Sequence, residues 1–261
     1  MNSIALTADQ FGIVYNILSF GLVSMLACTI YTLVSQARVL PKYRVALVMS
    51  SMVTFIAAYH YMRIFNSFED SFNHETGALS VGTGHGAFNE AYRYVDWILT
   101  VPLLLVEVIA VLAIAKEASK SLIRRLVIAS AAMIILGYPG EISAETGTKM
   151  LYFVLSMIPF LYILYVLFVE LSKSLDRQPE GVAKTVSNLR LLLIGTWAVY
   201  PISYLIPVFI TSPTASEAAS LFTYRQVGYT VADVLAKCVF GLTIYKIARM
   251  KSIAEGMPAD H

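Results

Sequence analysis

Apolar residues in this chain gather into long runs instead of recurring every third or fourth position, the pattern of a helix with one polar face. Seven windows of roughly 17 to 25 residues, the length that crosses a bilayer as helix, can be drawn. They cover 11–34, 44–66, 88–115, 122–138, 149–172, 188–210 and 224–249, the fourth being short. Lipid offers no partners to open backbone groups, so the spans must be helices. The expected fold is an all-α membrane protein, a bundle of seven transmembrane helices. The longest polar segment, FNSFEDSFNHETGALSVGTGHGAF, carries Gly-rich punctuation and a few apolar residues. It suits an ordered, hairpin-like flap between helices two and three. No linker, repeat or low-complexity stretch divides the chain, so residues 1–261 read as one domain. The start, MNSIALTADQ, lacks the basic residues of a secretory signal, and the first apolar run reads as a retained helix.

Composition agrees with this pattern. Hydrophobic residues make up 57% of the chain and charged residues 14%, and the mean hydropathy is +0.68, too apolar for a soluble domain. The placement of charge orients the bundle. Arg38, Lys42, Arg44, Lys116, Lys120, Arg124, Arg125, Lys173, Arg177, Lys184, Arg190, Lys246, Arg249 and Lys251 fall on one side. Asp9, Glu69, Asp70, Glu75, Glu90, Glu141, Glu145 and Glu217 fall on the other. The positive-inside rule then puts the N-terminus outside and the C-terminus in the cytoplasm, as an odd number of spans requires. The expected location is a cell membrane, crossed several times, and the expected partners are the lipid bilayer and protons rather than nucleic acid. Cys28 and Cys238 lie inside spans and read as small core residues, not as a disulfide or a metal site.

The chemistry lies in the charges that remain within the spans. In TVADVLAKCVFGLTIY, Asp233 precedes Lys237 by one helical turn, which brings a carboxylate onto the face of an otherwise costly cation. In EAYRYVDWILTVPLLLVEVIAVL, Arg93 and Thr100 flank Asp96 on one face, and Glu107 follows eleven positions on. That separation is about three turns and roughly 16 Å of rise, so Asp96 and Glu107 point alike at different depths. Because this helix runs inward, Asp96 is outer, Glu107 inner, and Lys237 between them. Three proton-exchanging groups stacked across a membrane are the skeleton of a proton path. Arg63 reads as a side chain snorkelling from a helix end. Trp97, Trp197, Tyr200, Pro201 and Tyr204 offer flat apolar area with polar tips, which fits a long conjugated ligand, though each taken alone is better explained as a packing residue.

The segments RYVDWILTVPLLLVE, ILGYPGE, IPFLYILYVLFVEL, WAVYPISYLIP and DVLAK, in this order, resemble the microbial rhodopsins, seven-helix retinal proteins. Within them the chain looks like the proton pumps of the proteorhodopsin and xanthorhodopsin groups. The resemblance implies a light-driven outward proton pump in which Lys237 carries all-trans retinal covalently as a protonated Schiff base. It makes Asp96 the counterion and proton acceptor, Asp233 a second counterion, Arg93 the outer gate and Glu107 the cytoplasmic donor. The triplet Asp96, Thr100, Glu107 is similar to that of proton pumps. Tyr61, Leu104, Ser156 and Phe160 would join the retinal pocket, and leucine at 104 is similar to the green-absorbing proteorhodopsin type. His60 looks like the family's histidine that hydrogen-bonds the acceptor. Two departures stand out. Phe153 occupies the place of a glycine that opens the site to a carotenoid antenna in xanthorhodopsins, so no antenna is expected. The outer ends of helices six and seven lack paired glutamates, and Arg225 lies there instead. Homo-oligomeric rings are common in the family. A photosensory rhodopsin signalling through a transducer shares fold and chromophore, but a carboxylic donor at 107 speaks against it. A transporter without a chromophore leaves the lysine unexplained.

Overall fold

The computed structural model describes residues 2–82, 86–179, 181–210 and 213–259. Its seven membrane-length helices are α1 (Ala8–Arg38), α2 (Pro41–Asp70), α3 (Ala91–Leu112), α4 (Lys116–Ile142), α5 (Thr146–Arg177), α6 (Val182–Phe209) and α7 (Ala215–Ala254). Most of them outrun their apolar windows because polar residues at the ends still cap or extend a helix. Thr7 opens α1 with a capping box, its hydroxyl accepting from Gln10 N at 3.2 Å while Gln10 Oε1 accepts from Thr7 N at 3.0 Å. Thr214 and Glu217 repeat the device at α7, and Pro41 supplies the fixed φ that suits the first turn of α2. The third window is the exception, since α3 is shorter than its apolar run. The Asn89 side chain accepts from Ala91 N at its start, and Ala113 at its end takes a left-handed φ of 49°.

Two helices widen locally into π turns, at Val166–Glu170 in α5 and Val234–Val239 in α7. Lys237 sits in the second. Arg190 and Arg125, which the charge pattern put on the basic side of the bundle, lie within helices. Arg190 is buried and donates to the Leu167 carbonyl at 2.9 Å, inside the π turn of α5. Arg125 forms a forked pair with Glu170 at 3.0 and 2.7 Å. Lys251 is likewise buried and donates to the carbonyls of Val111 and Leu112 at 3.1 and 2.7 Å. It thereby satisfies the open end of α3.

On the opposite side the flap between α2 and α3 holds strands β2 (Phe72–Asn73) and β3 (Ala78–Val81). The N-terminal residues add a strand the sequence pattern did not suggest, β1 (Asn2–Ala5), antiparallel to β3 with Asn2 opposite Val81. The strand order is β1-β3-β2. Phe72 of this sheet joins Phe11, Phe68, Phe88 and Phe222 in an aromatic cluster, stacked at Phe11–Phe68 and Phe68–Phe222 and edge-on at Phe68–Phe88. Large apolar side chains on the outside, Phe209, Ile128 and Tyr224 among them, are exposed, as expected of a surface that meets lipid. Both cysteines are free and buried.

Candidate functional site

Lys237 is 2% exposed and donates from Nζ to Asp96 Oδ2 at 2.5 Å and to Asp233 Oδ1 at 2.9 Å. Asp233 has both oxygens engaged. Tyr200 donates to Oδ1 at 2.7 Å and Tyr61 to Oδ2 at 2.8 Å, while Arg93 Nη1 lies 3.7 Å from Oδ2. Asp96 differs, because its Oδ1 is buried with no partner. Two cations and two carboxylates therefore balance in a buried interior, the condition under which buried charge is tolerated. Removing one of the four leaves another uncompensated, at a cost of about 3–5 kcal/mol.

The elements explain how these groups meet. Asp233 and Lys237 face alike by their four-residue spacing, and Tyr229 and Gln226 continue the same stripe up α7. Arg93, Asp96, Thr100 and Glu107 are all buried on the inner face of α3. Thr100 turns its hydroxyl to the Asp96 carbonyl at 2.8 Å. Tyr61 reaches Asp233 only because Gly21 of α1 has no side chain, for a Cβ there would lie 2.5 Å from the tyrosine ring.

Next to Lys237 lies a cavity of about 120 Å³. Trp97, Leu104, Ser156 and Phe160 line it, as do Trp197, Tyr200, Pro201 and Tyr204. All eight are among the residues expected to line a ligand pocket. Tyr61, expected on this wall, is not part of it, because its hydroxyl is directed to Asp233 on the far side of the ion cluster. Phe153 lines the cavity and packs on Tyr204 with ring centroids 5.6 Å apart. Tyr94, Gly137, Met157 and Tyr229 belong to the wall and were not read from the sequence. Tyr229 was legible from its spacing to Asp233, whereas the others depend on which helices adjoin.

His60 is buried, with Tyr59 edge-on at 5.3 Å. Its Nδ1 has no partner, and no hydrogen bond to Asp96 is formed among the described residues. Glu107 is fully buried in the half of the bundle away from the flap, where Ser50 of α2 donates to Oε2 and Oε1 is left unpartnered. Ser50 was not foreseen. No side chain joins Glu107 to Lys237 by hydrogen bonds among the described residues, whereas side chains link Lys237 continuously toward the flap.

The flap side runs on from Arg93, whose Nη2 donates to Gln226 Oε1 at 2.7 Å. Gln226 Nε2 donates in turn to Glu90 Oε1 at 2.6 Å. Glu90 also pairs with Arg225, and Arg225 Nη1 lies 3.8 Å from Glu141. Burial would raise the Glu90 carboxyl, but Arg225, Arg93 and the Gln226 amide outweigh it and hold the group below the usual carboxylate range. Paired carboxylates are thus present, contributed by the start of α3 and the end of α4 rather than by the outer ends of helices six and seven.

Known proteins resemble this one in sequence and fold. The sequence matches the family described as bacteriorhodopsin-like protein over residues 14–250. It is 30% identical, over 91% of this chain and 88% of the relative, to the green-light absorbing proteorhodopsin of Gamma-proteobacterium EBAC31A08. The crystallographic structure of xanthorhodopsin, titled a light-driven ion pump with dual chromophore, superposes with a TM-score of 0.88 at 42% identity, covering 99% of this chain and all of that one. A thermophilic rhodopsin gives a TM-score of 0.89 at 40% identity over 96% of this chain and 98% of its own. The chain belongs to the bacteriorhodopsin-like family, the microbial rhodopsins.

Proposed function

We propose that the protein is a light-driven proton pump that moves protons out of the cell, with retinal bound covalently to Lys237. The observation that carries this reading is the contact of the Lys237 amine with Asp96, at 2.5 Å, beside an aromatic cavity. Retinal fits these residues. It has one aldehyde, matched by one amine at the cavity, and an apolar polyene, matched by Trp97, Trp197, Tyr200, Leu104 and Phe160. Bound there, it supplies light absorption, a change of shape about a double bond and a lowered proton affinity at the Lys237 nitrogen.

The remaining steps belong to the protein's own groups. Asp96 accepts the proton, since it has an unpartnered oxygen to receive it, whereas protonating Asp233 would displace Tyr61, Tyr200 or Arg93. Asp233 keeps Arg93 and the two tyrosines in place while the charge moves. Glu107, buried with Ser50 and no cation beside it, is the neutral acid that resupplies the lysine nitrogen from the cytoplasmic side. Direction arises from alternation of access to the lysine nitrogen between the two sides. Thr100 fixes the Asp96 backbone, and His60 stands as an acceptor-side partner once it or Asp96 turns. The lysine- and arginine-rich ends set the N-terminus outside, in a cell membrane that the chain crosses seven times. Phe153 filling the wall favours retinal as the single chromophore, unlike the dual-chromophore xanthorhodopsin.

Adding all-trans retinal to purified protein tests the reading. A visible absorption band that Lys237→Ala removes is the expected result. A band unaffected by Lys237→Ala, or none in folded protein, overturns it.

A further inference from the structure

At the end of the bundle away from the flap, a separate set of ionisable groups gathers between α2, α3 and α7. Tyr43 of α2 is 1% exposed, yet its hydroxyl donates to Glu255 Oε1 at 2.5 Å, and the Glu255 side chain is 33% exposed. A phenol inside the bundle thus touches a carboxylate that meets water. Lys42 pairs with the same carboxylate, and the buried Lys251 ammonium stands 5.0 Å from the centre of the Tyr43 ring. The cluster is fastened in place, with Leu40 N donating to Ser252 Oγ at 2.9 Å and Arg249 Nη1 to the Arg38 carbonyl at 2.9 Å. It also lies in line with Glu107. Tyr43, Leu47 and Ser50 follow one face of α2, and Ser50 is the residue bonded to Glu107. The two polar ends of that face are two turns, roughly 10 Å of rise, apart. Lys251 reaches the Val111 carbonyl of α3, one turn beyond Glu107. Gly241 brings α7 against Ser50, since a Cβ there would lie 3.3 Å from the serine side chain. Between the two polar ends the wedge is filled by Leu47, Val111, Ile244 and Ala248, all buried.

We propose that Glu255 collects protons at this end of the molecule and passes them along the wedge of α2, α3 and α7 to refill Glu107. This rests on the outward-pump reading above, which makes this end cytoplasmic. A proton from water forms the Glu255 O–H bond. That bond breaks as the proton moves on through water admitted to the wedge, and an O–H bond forms on the Glu107 carboxylate left after its own proton has gone to the lysine nitrogen. One proton enters for each one given up. The direction of this transfer is electrostatic. Lys42, Tyr43 and Lys251 face Glu255 and hold its carboxyl below the usual carboxylate range, so a proton there strands two cations and is readily passed on. An ionised Glu107 has Ser50 on one oxygen and no partner on the other among the described residues, so it binds the proton more tightly. Lys251 is a positioning residue in this scheme, holding the end of α3 beside Tyr43.

Infrared spectroscopy of the retinal-free protein in the dark reads this route without any pump activity. The carboxylic C=O band that Glu107→Gln removes shifts when its proton exchanges for deuterium, and the exchange time reports access to Glu107. Glu255→Gln should slow that exchange by about 10²-fold, the weight of a positioned acid, and azide, a small diffusible proton carrier, should restore it. The sign is diagnostic, because a merely structural Glu255 would loosen the mouth when replaced and speed the exchange. With retinal bound, a pH-sensitive dye read after a flash should show proton uptake slowed in Glu255→Gln and transfer to Asp96 unchanged. Exchange in Glu255→Gln as fast as in the parent or faster, or unchanged uptake, overturns the proposal. A Glu255-dependent exchange in a parent that moves no protons outward would instead overturn the outward-pump reading and leave Glu255 as the port to Glu107.

Discussion

At the residue scale, the two aspartates on Lys237 are chemically alike and differ in what else they touch. Asp233 has four neighbours on its two oxygens, and Asp96 has one oxygen free. Asp96→Asn should therefore remove the proton acceptor and lower light-driven proton flux by about 10²-fold or more, the usual weight of a positioned acid or base. Asp233→Asn should chiefly damage the fold and the pigment, because it strands Arg93. Flash absorption with a parallel thermal melt separates the two outcomes, and equal loss of flux with equal loss of stability would contradict the distinction. Glu107→Gln should slow reprotonation of the lysine nitrogen by about 10²-fold without changing proton transfer to Asp96, and an unaltered photocycle would remove Glu107 from the donor role. The four buried charges around Lys237 were legible in the sequence because spacing on α3 and α7 fixes which way they face. Ser50 beside Glu107, Tyr61 on Asp233 and the free Nδ1 of His60 were not, since they depend on how α2 turns against its neighbours.

At the element scale, close approaches between helices hold the site. Gly21 lets α1 and α2 come near enough for Tyr61 to reach Asp233. Gly21→Ala should overpack this contact, costing about 1–3 kcal/mol, and should shift the absorption band by moving Tyr61. A stable variant with the parent band would show that the tyrosine reaches Asp233 by another route. Lys251 binds the last carbonyls of α3 from α7. Lys251→Met should lower stability by about 1.5–3 kcal/mol, the range for hydrogen bonds to a charged group, with little effect on the pigment. The seven spans were readable from hydrophobic runs alone, and their ends were not, because capping by Thr7, Asn89 and Thr214 is local and polar. Arg190, Arg125 and Lys251 show the limit of assigning every cation near a helix end to a loop. A long basic side chain can reach inward to an unsatisfied carbonyl or a carboxylate as readily as outward to water.

For the whole molecule, the side of the flap carries the sheet and is joined by Glu90, Arg225 and Gln226. Glu90 ties α3 to α7 through Arg225 and Gln226. Its carboxyl is held below the usual range, so its contribution to stability is present above that range and is lost as pH falls through the lowered value. Melting temperature against pH should accordingly drop less steeply on the acid side in Glu90→Gln than in the parent, and parallel curves would show that Glu90 contributes nothing. The sheet was only half legible, since the flap announced itself by its glycines but the N-terminal strand that completes it pairs across a long stretch of chain. The claim that unites these features is outward movement of a proton from Lys237 through Asp96. It is tested most directly by illuminating pigmented cells in weakly buffered medium while recording external pH. Acidification that an uncoupler abolishes and that Asp96→Asn removes is the expected result; no change, or alkalinisation, in well-pigmented cells would contradict it.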